Sequence, residues 1–407
     1  MSGNDARHES ILLRGARAVL PAEVAEGVSL IIEQGRISRI IHSGERAPNG
    51  FSREIDLRGL TLFPGFIDLH IHGATGIDTM EATASDLQKV ARFLASHGVT
   101  AWLPTLVPSP DDDYKRAVKA IEELMSAPGG AEPYARALGL HYEGPFINSA
   151  QCGTLRPPYF RSYTEKSALD TLPVINSQPQ AVHMMTLAPE TEGGISLVRE
   201  LKARGWVISI GHTRANVEEL EMARAAGALH MTHFMNAMSP LHHRAPGPVG
   251  WGLLREDVTC DVIADGKHLD PLTLRLILKC KEAERLSLIS DSISAAGLGD
   301  GQYSVWDETI TVENARTRNF RGNLAGSVIT MLDAARMMLS LGASEIEVAR
   351  MAASNPARLI RRYDECGSIE EGKCADLVAL DEDGRVRLSL ISGRIAYDQN
   401  LHGISGD

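Results

Sequence analysis

Six side chains able to bind a metal or move a proton close apolar runs in this sequence. "GFIDLHIHG" ends in His70 and His72, "HYEGPFIN" turns just after Glu143, "ISIGHT" carries His212, "HMTHF" carries His233, and "LISDS" carries Asp291. His70 and His72 are two residues apart, so on a strand they face the same side. His212 and His233 are 21 residues apart, room for one helix and a returning strand, which places them on neighbouring strands at similar heights. Imidazoles and carboxylates gathered in one place suit zinc, iron or manganese, which accept nitrogen and oxygen donors. Such a cation lowers the pKa of a bound water and polarises a carbonyl, the two requirements of amide hydrolysis. A lone His at a strand end, or an isolated HxH, is ordinarily structural. Ligand types at five successive strand tips are not explained that way.

These tips converge only if the strands lie parallel in one sheet. Between about residues 63 and 362, β-branched apolar runs ("ARALGLHY", "WVISIG", "LHMT", "VTCDVIA", "LSLIS") alternate with helical patterns such as "NVEELEMARAAGA" and "PLTLRLILKCKEAE". About 300 residues of βα units predict an α/β fold, a (β/α)8 TIM-like barrel, in which strand C-termini share one mouth. A doubly wound sheet is the alternative, but no GxGxxG follows a first strand. Both ends differ in texture: "SLIIEQGRISRIIHSG" reads as a hairpin, and "ADLVALDEDGRVRLSLISGRIAYD" has an Asp-Gly turn between alternating strands. They predict a small β-sandwich domain built from residues 1–62 and 363–407 around a barrel of 63–362. Other polar residues have bland readings. His97 precedes a Gly helix cap, Asp111 to Asp113 start a helix, and His230, three before His233, faces away from it. His242 and His243 are loop residues, and Met238 and Trp251 are packing.

With 43% apolar and 23% charged residues in 407, the chain has the composition of a globular protein with a substantial core. A net charge of −11 argues against nucleic acid or a membrane surface as partner, since both want a basic face. Five cysteines without a CxxC pair fit a reducing cytoplasm. The polar start "MSGNDARHES" is not a targeting peptide, and no run is long enough to cross a bilayer.

"HYEGPFIN", "GHTRAN", "THFMNAM", "IADGKH" and "ISDSISAAG" together resemble the amidohydrolase superfamily and, within it, the N-acetylglucosamine-6-phosphate deacetylases. The resemblance runs from "LTLFPGFIDLHIHG" through "NPARLI" to "GSIEEGKCADLVALD". It implies a metal-dependent deacetylase of amino-sugar catabolism that uses one or two divalent ions, zinc or iron foremost. Glu143, His212 and His233 correspond to the main metal position, and His70 and His72 to a second that some members lose. Asp291 matches the catalytic acid/base, and His268 the residue contacting the acyl group. Asn236 and the backbone at Ala237 match part of the phosphate site, where amides at a helix start would favour an anion. Arg244 matches an arginine that reaches the phosphate from the neighbouring subunit, which implies a homodimer. On its own, an arginine in the Pro/Gly-rich "HHRAPGP" reads as a solvated charge.

One position departs from the pattern. The family usually has a KGAH-like or KGAQ-like run whose last residue touches the sugar, whereas here "QCGTL" places Leu155 there. Leucine cannot hydrogen-bond a buried hydroxyl. The alternative substrates are another N-acetyl amino sugar phosphate, an N-acyl amino acid or a cyclic ureide. Ureide hydrolases typically bridge two metals with a carboxylated lysine, and the bridging candidate here is Glu143. A barrel recruited as a scaffold usually loses ligands, and none is missing.

Overall fold

The computed structural model describes residues 10–127, 132–165 and 167–399. Residues 1–9 and 400–407, expected to belong to the small β domain, lie outside the described residues.

Eight parallel strands form the centre: β1 (Phe66–Ile71), β2 (Val99–Leu106), β3 (Gly139–Glu143), β4 (Val182–Leu187), β5 (Val207–Ile210), β6 (His230–Met231), β7 (Thr259–Ile263) and β8 (Leu286–Ile289). Each pairs with the next. Main-chain bonds close the ring, from Asp291 N to His70 O at 2.9 Å and from His72 N to Ser292 O at 2.8 Å. Strands in such a ring are buried on both faces, which is why they read as continuous apolar runs rather than alternating ones. The register places Glu143 beside Thr186, Thr186 beside Ser209 and Ser209 beside His230.

Helices wrap the outside, and local chemistry fixes their ends. Asn216 and Glu219 form a capping box at the start of helix Val217–Ala226, and Gly227 ends it at φ 115°. The loop from His212 to the helix is therefore short and defined. Helix Ala84–Ser96 is capped by Thr83 and closes at His97 before Gly98; its Leu87, Val90 and Leu94 pack in one core with Trp102 and Leu106. Each such buried leucine contributes about 1.5–3 kcal/mol. Asp111 begins helix Asp111–Ser126.

Strands from both ends share one eight-stranded sheet. Val24–Glu33 and Arg36–Ile41 form the expected hairpin, with Gln34 and Gly35 at positive φ in the turn. Leu377–Leu380 joins the two ends by pairing with Thr61–Pro64. The sheet encloses its own core, where Leu13, Leu30 and Ile32 meet Leu377, Leu388 and Leu390. After β8 the chain inserts a three-stranded antiparallel sheet, Gly301–Val305, Glu308–Glu313 and Arg316–Arg318, before helix Met331–Ser340. Among the described residues no helix is long and apolar enough to cross a membrane.

Candidate active site

Six side chains from five strand ends meet at the C-terminal mouth of the barrel. Glu143 Oε1 lies 2.9 Å from His212 Nε2 and 3.0 Å from His233 Nε2. Its other oxygen is 3.4 Å from His72 Nε2, and Oε1 is also 3.5 Å from His70 Nε2. Asp291 Oδ1 stands 3.2 Å from His72 Nε2 and 3.5 Å from His70 Nε2. All six residues are buried. His212, His233 and Asp291 sit at φ 48°, 29° and 48°. Left-handed backbone is costly for side chains of this size, and it turns each one off its strand into the mouth.

This array calls for a cation. His212 Nδ1 is 2.7 Å from the Gln151 carbonyl, which can only accept, so Nδ1 carries a proton and Nε2 is the atom turned into the mouth. That nitrogen faces a carboxylate oxygen and, at 3.1 Å, the Nε2 of His233. A carboxylate oxygen and two ring nitrogens converging on one point within 3.1 Å of one another form a set of donors that a metal ion would hold together. Donors about 2.0–2.1 Å from a metal are separated by roughly 2.9–3.4 Å in tetrahedral or octahedral geometry, and these separations match. The described residues give two such groups, His70–His72–Glu143 and Glu143–His212–His233, with Glu143 common to both.

Electrostatics follow from the packing. Burial pushes the Glu143 carboxyl up, but His70, His212 and His233 outweigh it and hold it well below the usual range. Burial likewise opposes ionisation of Asp291, and His70 and His72 hold it below its ordinary value. A deeper polar layer supports the ligands. His70 Nδ1 meets Thr232 Oγ1 at 3.0 Å, and His141 bridges Leu69 O and Thr186 Oγ1 at 3.0 and 2.8 Å. Asp68 accepts from Ser290 Oγ at 2.6 Å, and burial raises its carboxyl to about 6.

The mouth opens as a cavity of about 160 Å³. His268 enters it from the loop after β7, its Nδ1 2.6 Å from Asp265 Oδ2; burial opposes charge on Asp265, and the His268 ring outweighs it. Asn236 and Ala237 line the cavity beside His233, and Leu155 lines it with Gly153 and Thr154. Asn236 and Ala237 do not stand at a helix start. They lie in a turn, Ala237 at φ 49°, and the next helix begins only at Gly247. His230 does not face away from the barrel interior either. It shares the inward face with Thr232, and its Nε2 is 2.9 Å from Asp261 Oδ2. Arg244 lies apart from the cavity on an exposed loop, its guanidinium 2.7 Å from His243 Nε2.

His141 and Asp68 carry no signal in the sequence beyond their places inside apolar strands. Trp306, from the turn of the inserted sheet, also lines the cavity; alternation in "GQYSVWDETITVE" marks the hairpin but not its position over the mouth.

The amidohydrolase family model matches residues 61–396. The chain belongs to the amidohydrolase family. Amidohydrolases are metal-dependent hydrolases, in accord with the two groups of side chains here that could hold an ion. Over 399 residues the chain is 35% identical to the N-acetylglucosamine-6-phosphate deacetylase of Bacillus subtilis strain 168, covering 96% of this chain and 98% of the relative. Over 336 residues it is 36% identical to the N-acetylgalactosamine-6-phosphate deacetylase of Escherichia coli O157:H7, covering 82% and 87%. The N-acetylglucosamine-6-phosphate deacetylase of Pasteurella multocida superposes with a TM-score of 0.86 at 30% identity, covering 95% of this chain and 99% of that one. A mutant of the Mycobacterium smegmatis deacetylase in complex with N-acetyl-D-glucosamine-6-phosphate superposes with a TM-score of 0.85 at 28% identity, covering 96% and 99%.

Proposed function

We propose that this amidohydrolase removes the acetyl group of N-acetylglucosamine-6-phosphate, giving glucosamine-6-phosphate and acetate in amino-sugar catabolism. The observation that carries this reading is Glu143 Oε1 within 3.0 Å of both His212 and His233, with Asp291 across the same mouth. Similarity to deacetylases over nearly the whole chain supports it.

Glu143, His212 and His233 would hold the main ion, zinc or iron, and His70 and His72 a second. A divalent ion there supplies Lewis acidity and eases deprotonation of water. The remaining work belongs to the chain. Asp291, kept ionised by its histidine neighbours, takes the proton of the attacking water. It then returns that proton to the amine nitrogen, because an amide anion is a very poor leaving group. His268, fixed by Asp265, contacts the acyl group. Asn236 and the turn at Ala237 take the phosphate, and Arg244 reaches it from the second subunit of a homodimer. Exposed Leu241, three residues before Arg244, supports a buried contact at that loop. The five cysteines are unpaired, which supports a cytoplasmic location.

The test is acetate release from N-acetylglucosamine-6-phosphate, its unphosphorylated form and N-acetylgalactosamine-6-phosphate, using enzyme of measured metal content. Strong preference for the first is expected. No turnover of any of them with metal bound would redirect the assignment to other amides.

A further inference from the structure

One wall of the mouth has no part in the chemistry so far. Trp306 and Asp307 are the two turn residues between paired Val305 and Glu308. Both have positive φ, 50° and 65°, the two-residue hairpin turn that favours Asn, Asp or Gly. Tryptophan in the first of those positions is strained, and strain kept beside an active site points to use of the side chain. The indole lines the cavity with Leu155 and Leu324, and its ring stands edge-on to His72 with centroids 5.1 Å apart. Its N–H lies against the buried Asp78 carboxyl without a normal hydrogen bond, so its polar atom is turned toward Asp78. The hairpin is also latched to the Leu155 loop: Arg156 reaches Asp307 Oδ2 at 3.3 Å and Ser109 Oγ at 2.8 Å.

Position around the ring indicates what this wall meets. Asn236 and Ala237 follow β6, whereas Trp306 stands over the junction of β8 and β1. A substrate with its phosphate at the first place and its carbonyl between Glu143 and Asp291 directs the acyl chain toward Trp306. We propose that Trp306 is a specificity-determining residue that closes the acyl end of the pocket and restricts it to the short acetyl chain. This rests on the deacetylase reading of the same site.

The experiment compares kcat/KM for N-acetyl-, N-propionyl- and N-butyryl-glucosamine-6-phosphate in wild type, Trp306→Ala, Trp306→Leu and Trp306→Phe, each with measured metal content. The butyryl-to-acetyl ratio is expected to rise about tenfold or more in the Ala and Leu variants, the discrimination one or two methylenes supply in an apolar pocket. Phe should keep most of the wild-type preference. Leu keeps an apolar body in the turn, so a folding failure of the Ala variant does not remove the test. A loss common to all three substrates with unchanged ratio would overturn the inference and place the indole against the sugar ring. A wild type that turns over none of them, with metal bound, would sink the deacetylase reading itself; activity on the acetyl substrate with flat variant ratios would sink only the acyl wall.

Discussion

The amide of Asp291 donates to the carbonyl of His70 at 2.9 Å, joining the last barrel strand to the first. The bond that closes the ring therefore also sets the distance between the Asp291 carboxylate and the HxH pair. Asp291→Asn keeps this main-chain bond and the side-chain shape but removes the proton acceptor. Turnover is expected to fall by about 10²–10⁴-fold with metal content retained. Near-normal turnover with metal bound would remove Asp291 from the proton-transfer role.

Glu143 belongs to both candidate metal groups, whereas His72 belongs to one. Glu143→Ala is therefore expected to empty both positions, and His72→Ala to leave the one held by Glu143, His212 and His233. Elemental analysis of purified variants gives ions per chain directly. Equal losses in both variants would contradict separate positions joined by Glu143. Chelation should also lower the melting temperature, since an ion at about 1,000 times its Kd adds roughly 4 kcal/mol to the folded state.

The candidate ligand set is legible because barrel strands are buried on both faces. Against nearly continuous apolar runs, His72, Glu143 and His212 stand out as polar residues at the ends. Register and helix caps then carry those ends to one height, as the Asn216–Glu219 capping box does after His212. Residues of the underlying layer were not legible. Asp68, His141 and His230 sit inside strands, and only the closed ring brings Thr232 to His70.

Two local rules failed for physical reasons. Parity along a strand predicts opposite faces for His230 and His233, but the regular strand ends at Met231 and the chain turns at His233, φ 29°. A helix start was expected near Asn236, yet Pro240 and Pro246 intervene and the helix waits until Gly247. Phosphate contact at Ala237 would then depend on a turn with positive φ, a concave run of amides of the kind that binds anions without a helix. Leu155 proves to be part of the pocket wall, 5% exposed, and it shares that wall with Trp306.

Arg244 supplies the last prediction, because its place outside the cavity of its own chain separates two roles. If it is only a solvated charge, Arg244→Ala changes little. If it reaches the phosphate in a partner's site, KM for N-acetylglucosamine-6-phosphate rises by about 10–100-fold, the range for losing a hydrogen bond to a charged group. The unphosphorylated sugar should be nearly unaffected. Sharing across subunits has its own signature. In mixed dimers of Arg244→Ala and Asp291→Asn chains, one of the two sites combines an intact Asp291 with an intact partner arginine. Mixing the two impaired proteins under exchange conditions should therefore restore activity above the sum of the separate samples. Failure of mixed dimers to regain activity, with exchange verified by differential tagging, would confine Arg244 to its own subunit.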